Sequence, residues 1–216
     1  MRRRPPRRHG RRPRIGLLGG SFNPAHEGHL HISRLALEKL DLDNVWWLVS
    51  PQNPLKSEAG TAPYKERLRR ARAVARGRKL WVSDIERTLG TRYTVDTLVA
   101  LRERYPGFRF VWIMGADNLI DIERWKDWTE IFGAVPVAVF ARPNYSGKAL
   151  VSKAARRFAR RRVKAERAAQ LADRRPPAWV FLMTPLNAQS ATRIRARGDK
   201  AAESRTAVRK GKDGRN

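Results

Sequence analysis

Short apolar runs alternate with amphipathic stretches along most of this 216-residue chain. Six runs are too short for helices and rich in Val, Ile and aromatic residues, which predicts strands. They are Arg14–Leu18, Val45–Val49, Leu80–Val82, Phe108–Met114, Val135–Phe140 and Trp179–Met183. Helical stretches are predicted near residues 27–40, 64–77, 94–105 and 124–132. Because strands that alternate with helices favour parallel pairing and right-handed crossovers, we expect an α/β fold with a doubly wound parallel sheet.

Three basic segments lie outside this pattern. Residues 1–13 contain many Arg and Pro, and we expect a disordered basic arm. Residues 148–175 carry 11 basic and 2 acidic side chains and predict a basic helical insert that ends at two prolines. Residues 197–216 lack apolar periodicity, and we expect a disordered tail. A single domain is therefore expected over residues 14–196.

The formal net charge of +27 suggests a nucleic-acid-binding protein as one hypothesis. Most of the excess lies in residues 1–14, 148–175 and 196–216, and only +6 remains on the rest of the chain. The basic segments are not interleaved with aromatic residues, and no RNA-binding motif is visible. We therefore expect no specific nucleic-acid partner.

The chain has no cysteine, which excludes disulfides, thiolate zinc sites and a Cys nucleophile, and we expect a cytoplasmic location. No apolar run reaches the roughly 18–20 residues that a membrane span needs, and the amino terminus lacks the apolar region of a signal peptide. We expect no membrane partner. The sequence leaves the oligomeric state open.

The segment after the first predicted strand carries the strongest chemical signal. Gly19 and Gly20 would let the backbone turn tightly and approach a ligand. Asn23 and Pro24 then favour a helix start, with Asn as the cap.

His26 and His29, three residues apart, would share one side of the first helical turn, where backbone N–H groups favour an anion. This spacing predicts a phosphate site. A capping or core role for the histidines and a half-site for zinc are the alternatives. Zinc needs at least a third ligand, so we expect no metal bound by the protein's own side chains.

The sequence His26-x-Gly28-His29 after a Gly-rich turn resembles the nucleotidylyltransferase superfamily. The second half of that pattern, Ser-x-Thr-x-x-Arg, stands at residues 190–195. The two halves in this order imply a Rossmann-like sheet of the nucleotidylyltransferase type. They also imply a catalyst that moves a nucleotidyl group from a nucleoside triphosphate onto a phosphate.

Four further segments resemble the nicotinate-nucleotide adenylyltransferase family, namely Pro51–Lys56, Thr91–Leu98, Gly115–Leu119 and Trp125–Trp128. The resemblance covers about 14–196. The basic insert, and a tail without a closing apolar helix, depart from the family and leave its C-terminal packing and oligomerisation open.

The resemblance implies transfer of the adenylyl group of ATP to nicotinate mononucleotide, with Mg²⁺, giving deamido-NAD and pyrophosphate. A phosphate monoester is largely ionised near neutral pH, so this nucleophile requires no general base. Two related alternatives are an adenylyltransferase for pantetheine phosphate and one that prefers the amide mononucleotide.

The resemblance also implies residue roles. The catalytic residues would be His26, His29 and Arg195. The same three would bind ATP together with Gly19, Gly20, Ser21, Phe22, Gly115, Asp117, Ser190 and Thr192. Nicotinate mononucleotide would meet Asn53, Lys56, Tyr93, Thr94 and Trp125, with Trp125 stacked on the pyridine ring. As alternatives, Asp117 could cap the helix that follows it, and Trp125 could be a packing residue.

Overall fold

The computed structural model describes residues 11–51 and 60–183. Seven strands are β1 (Arg14–Gly20), β2 (Asn44–Val49), β3 (Leu80–Ser83), β4 (Arg109–Gly115), β5 (Val137–Phe140), β6 (Arg162–Val163) and β7 (Trp179–Leu182). The α-helices are α1 (Glu27–Lys39), α2 (Tyr64–Val74), α3 (Ile85–Leu89), α4 (Thr94–Arg104), α5 (Ala116–Asp121), α6 (Trp128–Ala134), α7 (Ser146–Leu150) and α8 (Lys153–Arg157). All six predicted strands are present.

The strands form one parallel sheet in the order β3-β2-β1-β4-β5-β7-β6. The predicted doubly wound α/β fold is thus confirmed. From β1 the chain winds outward through β2 to β3, whereas β4 starts the opposite half on the other side of β1. Ligands of such sheets bind at the carboxyl ends of the strands where the order reverses, which here means between β1 and β4.

Alternate residues of each central strand face opposite sides of the sheet, because side chains on a strand have a period of two. Leu17 and Trp112 pack on one side with α4, α5 and α6, and Trp47 and Ile113 pack on the other with α1. Trp46, Trp47 and Trp112 are all buried, as the sequence predicted. The sheet therefore separates two apolar layers.

Two predicted helical stretches differ in the structure. Of the stretch near 124–132, only Trp128–Ala134 is α-helix, and a separate 3-10 turn covers Ile122–Arg124. The basic segment 148–175 is not one helix but contains the end of α7, all of α8, strand β6 and 3-10 turns at Ala159–Arg161 and Ala165–Asp173. Phe158 packs against Phe132 with ring centroids 4.3 Å apart, which holds this segment to the domain. Helix propensity alone would have predicted one continuous helix here.

An ion-pair cluster lies near the amino ends of β1, β2 and β4, opposite the carboxyl ends described above. Arg11, inside the segment expected to be disordered, donates to Asp43 at 3.1 Å, and Arg14 pairs with Asp173. Asp173 also pairs with Arg109 at 2.9 Å, so the end of the basic segment is tied to β1 and β4. None of the helices in the described part of the chain has the length and apolar character that a bilayer crossing requires.

Candidate active site

The carboxyl ends of β1 and β4 bring together residues that the sequence places about 90 positions apart. β1 ends at Gly20 and leads through a short loop into α1, while β4 ends at Gly115 and leads directly into α5. His26 and His29 lie at the start of α1, and Asp117 lies in the first turn of α5. Parallel neighbours β1 and β4 thus place these side chains at the same edge of the sheet.

Gly19 and Gly20 serve the fold differently from the tight turn predicted for them. Both lie within β1, and the turn begins after them, with Phe22 at a φ of 47°. A Cβ at Gly19 would overlap the indole ring of Trp112, whereas a Cβ at Gly20 would make ordinary contact with Phe22 at 3.6 Å. Gly19 is therefore required by the close approach of an aromatic ring from β4.

His26 is the N-cap of α1, where the sequence predicted Asn23. Its Nδ1 accepts from the backbone N–H of Gly28 at 3.1 Å, and Nδ1 of His29 accepts from the backbone N–H of His26 at 3.2 Å. Two backbone donors that a helix start leaves unsatisfied are thus satisfied reciprocally by two imidazoles. Asn23 instead bonds to Gly60 O and to the Ala62 N–H.

These two hydrogen bonds also set the proton positions. Since each Nδ1 accepts, the neutral form of each imidazole carries its proton on Nε2. The ring centroids of His26 and His29 lie 3.8 Å apart, which confirms that they share one side of the first turn. Burial, followed by the positive charge of Arg142, lowers the pKa of His26 to about 4. At neutral pH His26 is therefore an uncharged hydrogen-bond donor at a helix start.

Asp117 forms an ion pair with Arg142. Its other oxygen, Oδ1, is buried and accepts no hydrogen bond from the described residues. No side-chain cap is formed at the start of α5, so the capping role considered for Asp117 is not seen. Arg142 was missed by sequence reasoning, although its place two residues after β5, at the same edge of the sheet, could have identified it.

A second group of predicted residues lies around the start of α4. Tyr93 is the residue before this helix and Thr94 is its first residue, so the unpaired N–H groups of the helix start lie here. Lys126 Nζ lies 4.9 Å from the centroid of the Tyr93 ring and 3.3 Å from a carboxylate oxygen of Asp96. Lys126 thus places a positive charge beside Tyr93, a feature that the sequence did not identify.

Trp125 follows the 3-10 turn and is half-buried. Its ring meets that of Trp112 edge to face, with centroids 6.5 Å apart. Trp112 in turn lies against Gly19, so one aromatic ring connects the β1 side of the site to Trp125.

A buried carboxyl supports the segment before α4. Glu86 is 7% exposed, and burial raises its pKa to about 7, opposed by a hydrogen bond from Thr97. Thr97 Oγ1 lies 3.3 Å from Glu86 Oε1, 2.8 Å from Thr91 Oγ1 and 3.1 Å from Tyr93 O. Glu86 and Thr97 were not predicted as part of the site.

Five predicted site residues, Asn53, Lys56, Ser190, Thr192 and Arg195, lie outside the described residues. Within residues 11–51 and 60–183, no group of three or more His, Asp or Glu side chains could hold a metal ion.

Comparison with known proteins adds independent evidence. Residues 17–197 match the family model described as cytidylyltransferase-like. A protein of Caulobacter sp. (strain K31), described as a probable nicotinate-nucleotide adenylyltransferase, is 56% identical over 187 residues, which cover 87% of this chain and 99% of that protein. A protein of Parvibaculum lavamentivorans with the same description is 56% identical over 185 residues, covering 86% of this chain and 92% of the relative.

A solved structure shares the fold. It is Plasmodium falciparum nicotinic acid mononucleotide adenylyltransferase complexed with NaAD, which superposes with a TM-score of 0.66 at 15% identity and covers 85% of this chain and 83% of that one.

Proposed function

The chain belongs to the nicotinate-nucleotide adenylyltransferases within the cytidylyltransferase-like family, and we propose that it carries out their reaction at the carboxyl ends of β1 and β4. The reaction joins ATP and nicotinate mononucleotide into deamido-NAD with release of pyrophosphate, a step of NAD biosynthesis. The observation that carries the proposed location is the pair of imidazoles at the start of α1, at the point where the strand order reverses.

The bond changes require no covalent intermediate. An oxygen of the mononucleotide phosphate bonds to the α-phosphorus of ATP, while the bond from that phosphorus to the bridging oxygen of the β-phosphate breaks. Pyrophosphate leaves with the electron pair of that bond. Because the attacking phosphate is already ionised, catalysis consists of positioning the two phosphates and stabilising the charge that moves between them.

His26 and His29 fit this task as fixed donors. Each places its proton on Nε2 when neutral, and the low pKa of His26 keeps it neutral at physiological pH. Such donors stabilise charge in the transition state without first reorganising. The 13-residue helix α1 adds the partial positive charge of its amino terminus.

We propose further that Gly19, Gly20, Ser21 and Phe22 form the backbone beside ATP, with Gly115 and Asp117 on the β4 side. Asp117, held by Arg142, would meet ribose hydroxyls. From the family pattern, Ser190, Thr192 and Arg195 would bind the phosphates from the carboxyl-terminal segment.

Mg²⁺ would enter with ATP, since in such sites its ligands are mainly phosphate oxygens and waters. The described residues contain no group of three or more His, Asp or Glu side chains that could form a protein cage for it. The residues therefore fit a metal carried by the substrate. When bound, it would neutralise charge on the triphosphate.

Nicotinate mononucleotide would lie between Trp125 and the start of α4. The N–H groups at Tyr93 and Thr94 are donors for the pyridine carboxylate, and Lys126, which is paired with Asp96, lies next to Tyr93. A carboxylate only accepts hydrogen bonds, whereas an amide brings donors of its own, so this surface favours the acid. Asn53 and Lys56 are proposed to meet the rest of the mononucleotide.

The test is a two-substrate assay. The purified chain is given ATP and Mg²⁺ with either nicotinate mononucleotide or the amide mononucleotide, and the dinucleotide and pyrophosphate are quantified. We expect a higher kcat/KM with the acid. Equal or greater turnover with the amide would reject the proposed specificity, and no dinucleotide from either acceptor would reject the proposed reaction.

His29→Ala tests the phosphate site. Removing a preorganised donor to developing charge lowers kcat by about 100-fold or more. His31→Ala, on the same helix, is the control and should keep its kcat. Thermal unfolding confirms that both variants are folded, and an unchanged kcat in His29→Ala would remove His29 from the mechanism.

A further inference from the structure

Arg67 of α2 forms side-chain hydrogen bonds that have no assigned role in the reaction proposed above. Arg67 is 2% exposed, although Arg is rarely buried this deeply. Four of the five N–H donors of its guanidinium are used, and all four acceptors are backbone carbonyl oxygens. No described carboxylate pairs with it, so this arginine serves the backbone and not an ion pair.

The four carbonyls belong to three separate segments. Arg67 Nη1 donates to Ser21 O at 2.6 Å, on the turn that leads to the histidines, and to Ser50 O at 2.8 Å, just after β2. Nη2 donates to Pro51 O at 2.7 Å, and Nε donates to Ala62 O at 3.0 Å, just before α2. One guanidinium therefore joins the exits of β1 and β2 to the start of α2.

Two further contacts reinforce this junction. The backbone N–H of Ser50 donates to Gly20 O at 2.9 Å, and Asn23 bonds to both Gly60 and Ala62. The turn after β1 is thus held from both sides. It has a non-glycine residue, Phe22, in the left-handed region, a conformation that persists only when the surroundings enforce it.

We propose that Arg67 is a positioning residue of the adenylyl-transfer site, which fixes the turn from β1 to α1 and thereby the two imidazole donors that follow it. The proposal rests on the proposed function. The guanidinium lies 5.5 Å from the centroid of the Tyr64 ring, but its hydrogen bonds all go to backbone carbonyls, so it acts through the turn and not on the substrate. Its planar, forked set of donors is what lets one side chain reach four carbonyls at once, which a lysine cannot do.

The experiment compares Arg67→Gln and Arg67→Lys with Arg69→Gln, an exposed arginine of the same helix. KM for ATP, kcat, and the dissociation constant of a non-hydrolysable ATP analogue are measured well below each variant's Tm, where circular dichroism shows the same folded fraction. We expect kcat/KM for ATP to fall about 100-fold in Arg67→Gln and less in Arg67→Lys, because small displacements of catalytic groups have effects of that size. Arg69→Gln should match the unmodified chain.

A role in stability alone would lower Tm and leave KM for ATP and kcat unchanged in the folded protein, and that result would overturn the proposal. If Arg67→Gln does not fold, Arg67→Lys, which keeps the charge and most of the volume, decides between the two outcomes. Should the unmodified chain make no deamido-NAD, the proposed function fails. Weakened binding of the ATP analogue in the Arg67 variants would then still support the positioning role, and unchanged binding would overturn it.

Discussion

Replacing Glu86 by Gln removes a buried ionisable group while keeping its size and a hydrogen-bonding partner for Thr97. Burial raises the pKa of Glu86 from 4.5 to about 7. Between these two pH values the folded chain holds a proton that the unfolded chain has released. Raising the pH through this range therefore favours unfolding, and stability lost in this way levels off above about pH 7.

The size of the effect follows from the pKa difference. Each unit of pKa corresponds to 1.36 kcal/mol, so the change from 4.5 to about 7 costs about 3 kcal/mol of stability when the pH is raised fully through this range. Glutamine does not titrate. The free energy of unfolding of Glu86→Gln minus that of the unmodified chain should thus become about 3 kcal/mol more positive between pH 4 and pH 8.

Burial favours the neutral form of Glu86 more than the hydrogen bond from Thr97 favours the ionised form, and the hydroxyl network around Thr97 shows why that hydrogen bond is limited. Thr97 Oγ1 lies within hydrogen-bond distance of Glu86, Thr91 and Tyr93 O, but a hydroxyl carries only one proton. When Glu86 is protonated it can donate to Thr97, which leaves the Thr97 proton for Tyr93 O. An ionised Glu86 would compete for that proton.

Urea unfolding at pH 4, 5, 6, 7 and 8, followed by tryptophan fluorescence, measures the difference. Glu103→Gln, at an exposed position on α4, is the control for replacing a carboxyl by an amide at the protein surface. All other titrating groups cancel in the comparison. A difference between Glu86→Gln and the unmodified chain that stays constant from pH 4 to pH 8 would refute the reasoning.

Two further predictions concern β1 and the helix that follows it. Burial and the charge of Arg142 lower the pKa of His26 to about 4. A nitrogen-15 NMR titration should therefore show the His26 ring neutral, with the proton on Nε2, down to about pH 5. A titration midpoint of His26 near pH 6.5 would contradict this. Gly19→Ala should destabilise the chain by about 1–3 kcal/mol through overlap with Trp112, whereas Gly20→Ala should be nearly neutral, as urea unfolding would measure. Equal stability of the two Ala variants would show that Trp112 moves aside without cost.

The fold could be predicted from the sequence because its long strands and helices follow a regular pattern of apolar and polar residues. The central strands are buried on both faces, so they read as continuous apolar runs such as VWWLV. The short helices α3, α5, α7 and α8 and the two-residue strand β6 were not predicted, since elements of this length have too few residues to show a period.

The candidate site was accessible in part. His26 and His29 were predicted because they follow β1 in a recognisable spacing, and their shared side of the helix is confirmed. Asn23 as the cap was wrong, because an imidazole three residues further on provides the acceptor instead. That choice depends on where the loop places each side chain, and local propensity does not report it.

The sequence by itself determined the order of the longer strands and helices, the packing of helices on both faces of the sheet and the residues that follow β1 and β4. Only the tertiary structure decided which charged side chains become buried partners. The residue type alone does not distinguish Arg67 of α2 from Arg69 and Arg70. Of these three, only Arg67 turns inward and donates to four carbonyls. The pairing of Asp117 with Arg142 likewise joins residues 25 positions apart. Such contacts join segments that meet only after the sheet has formed, so no local pattern encodes them.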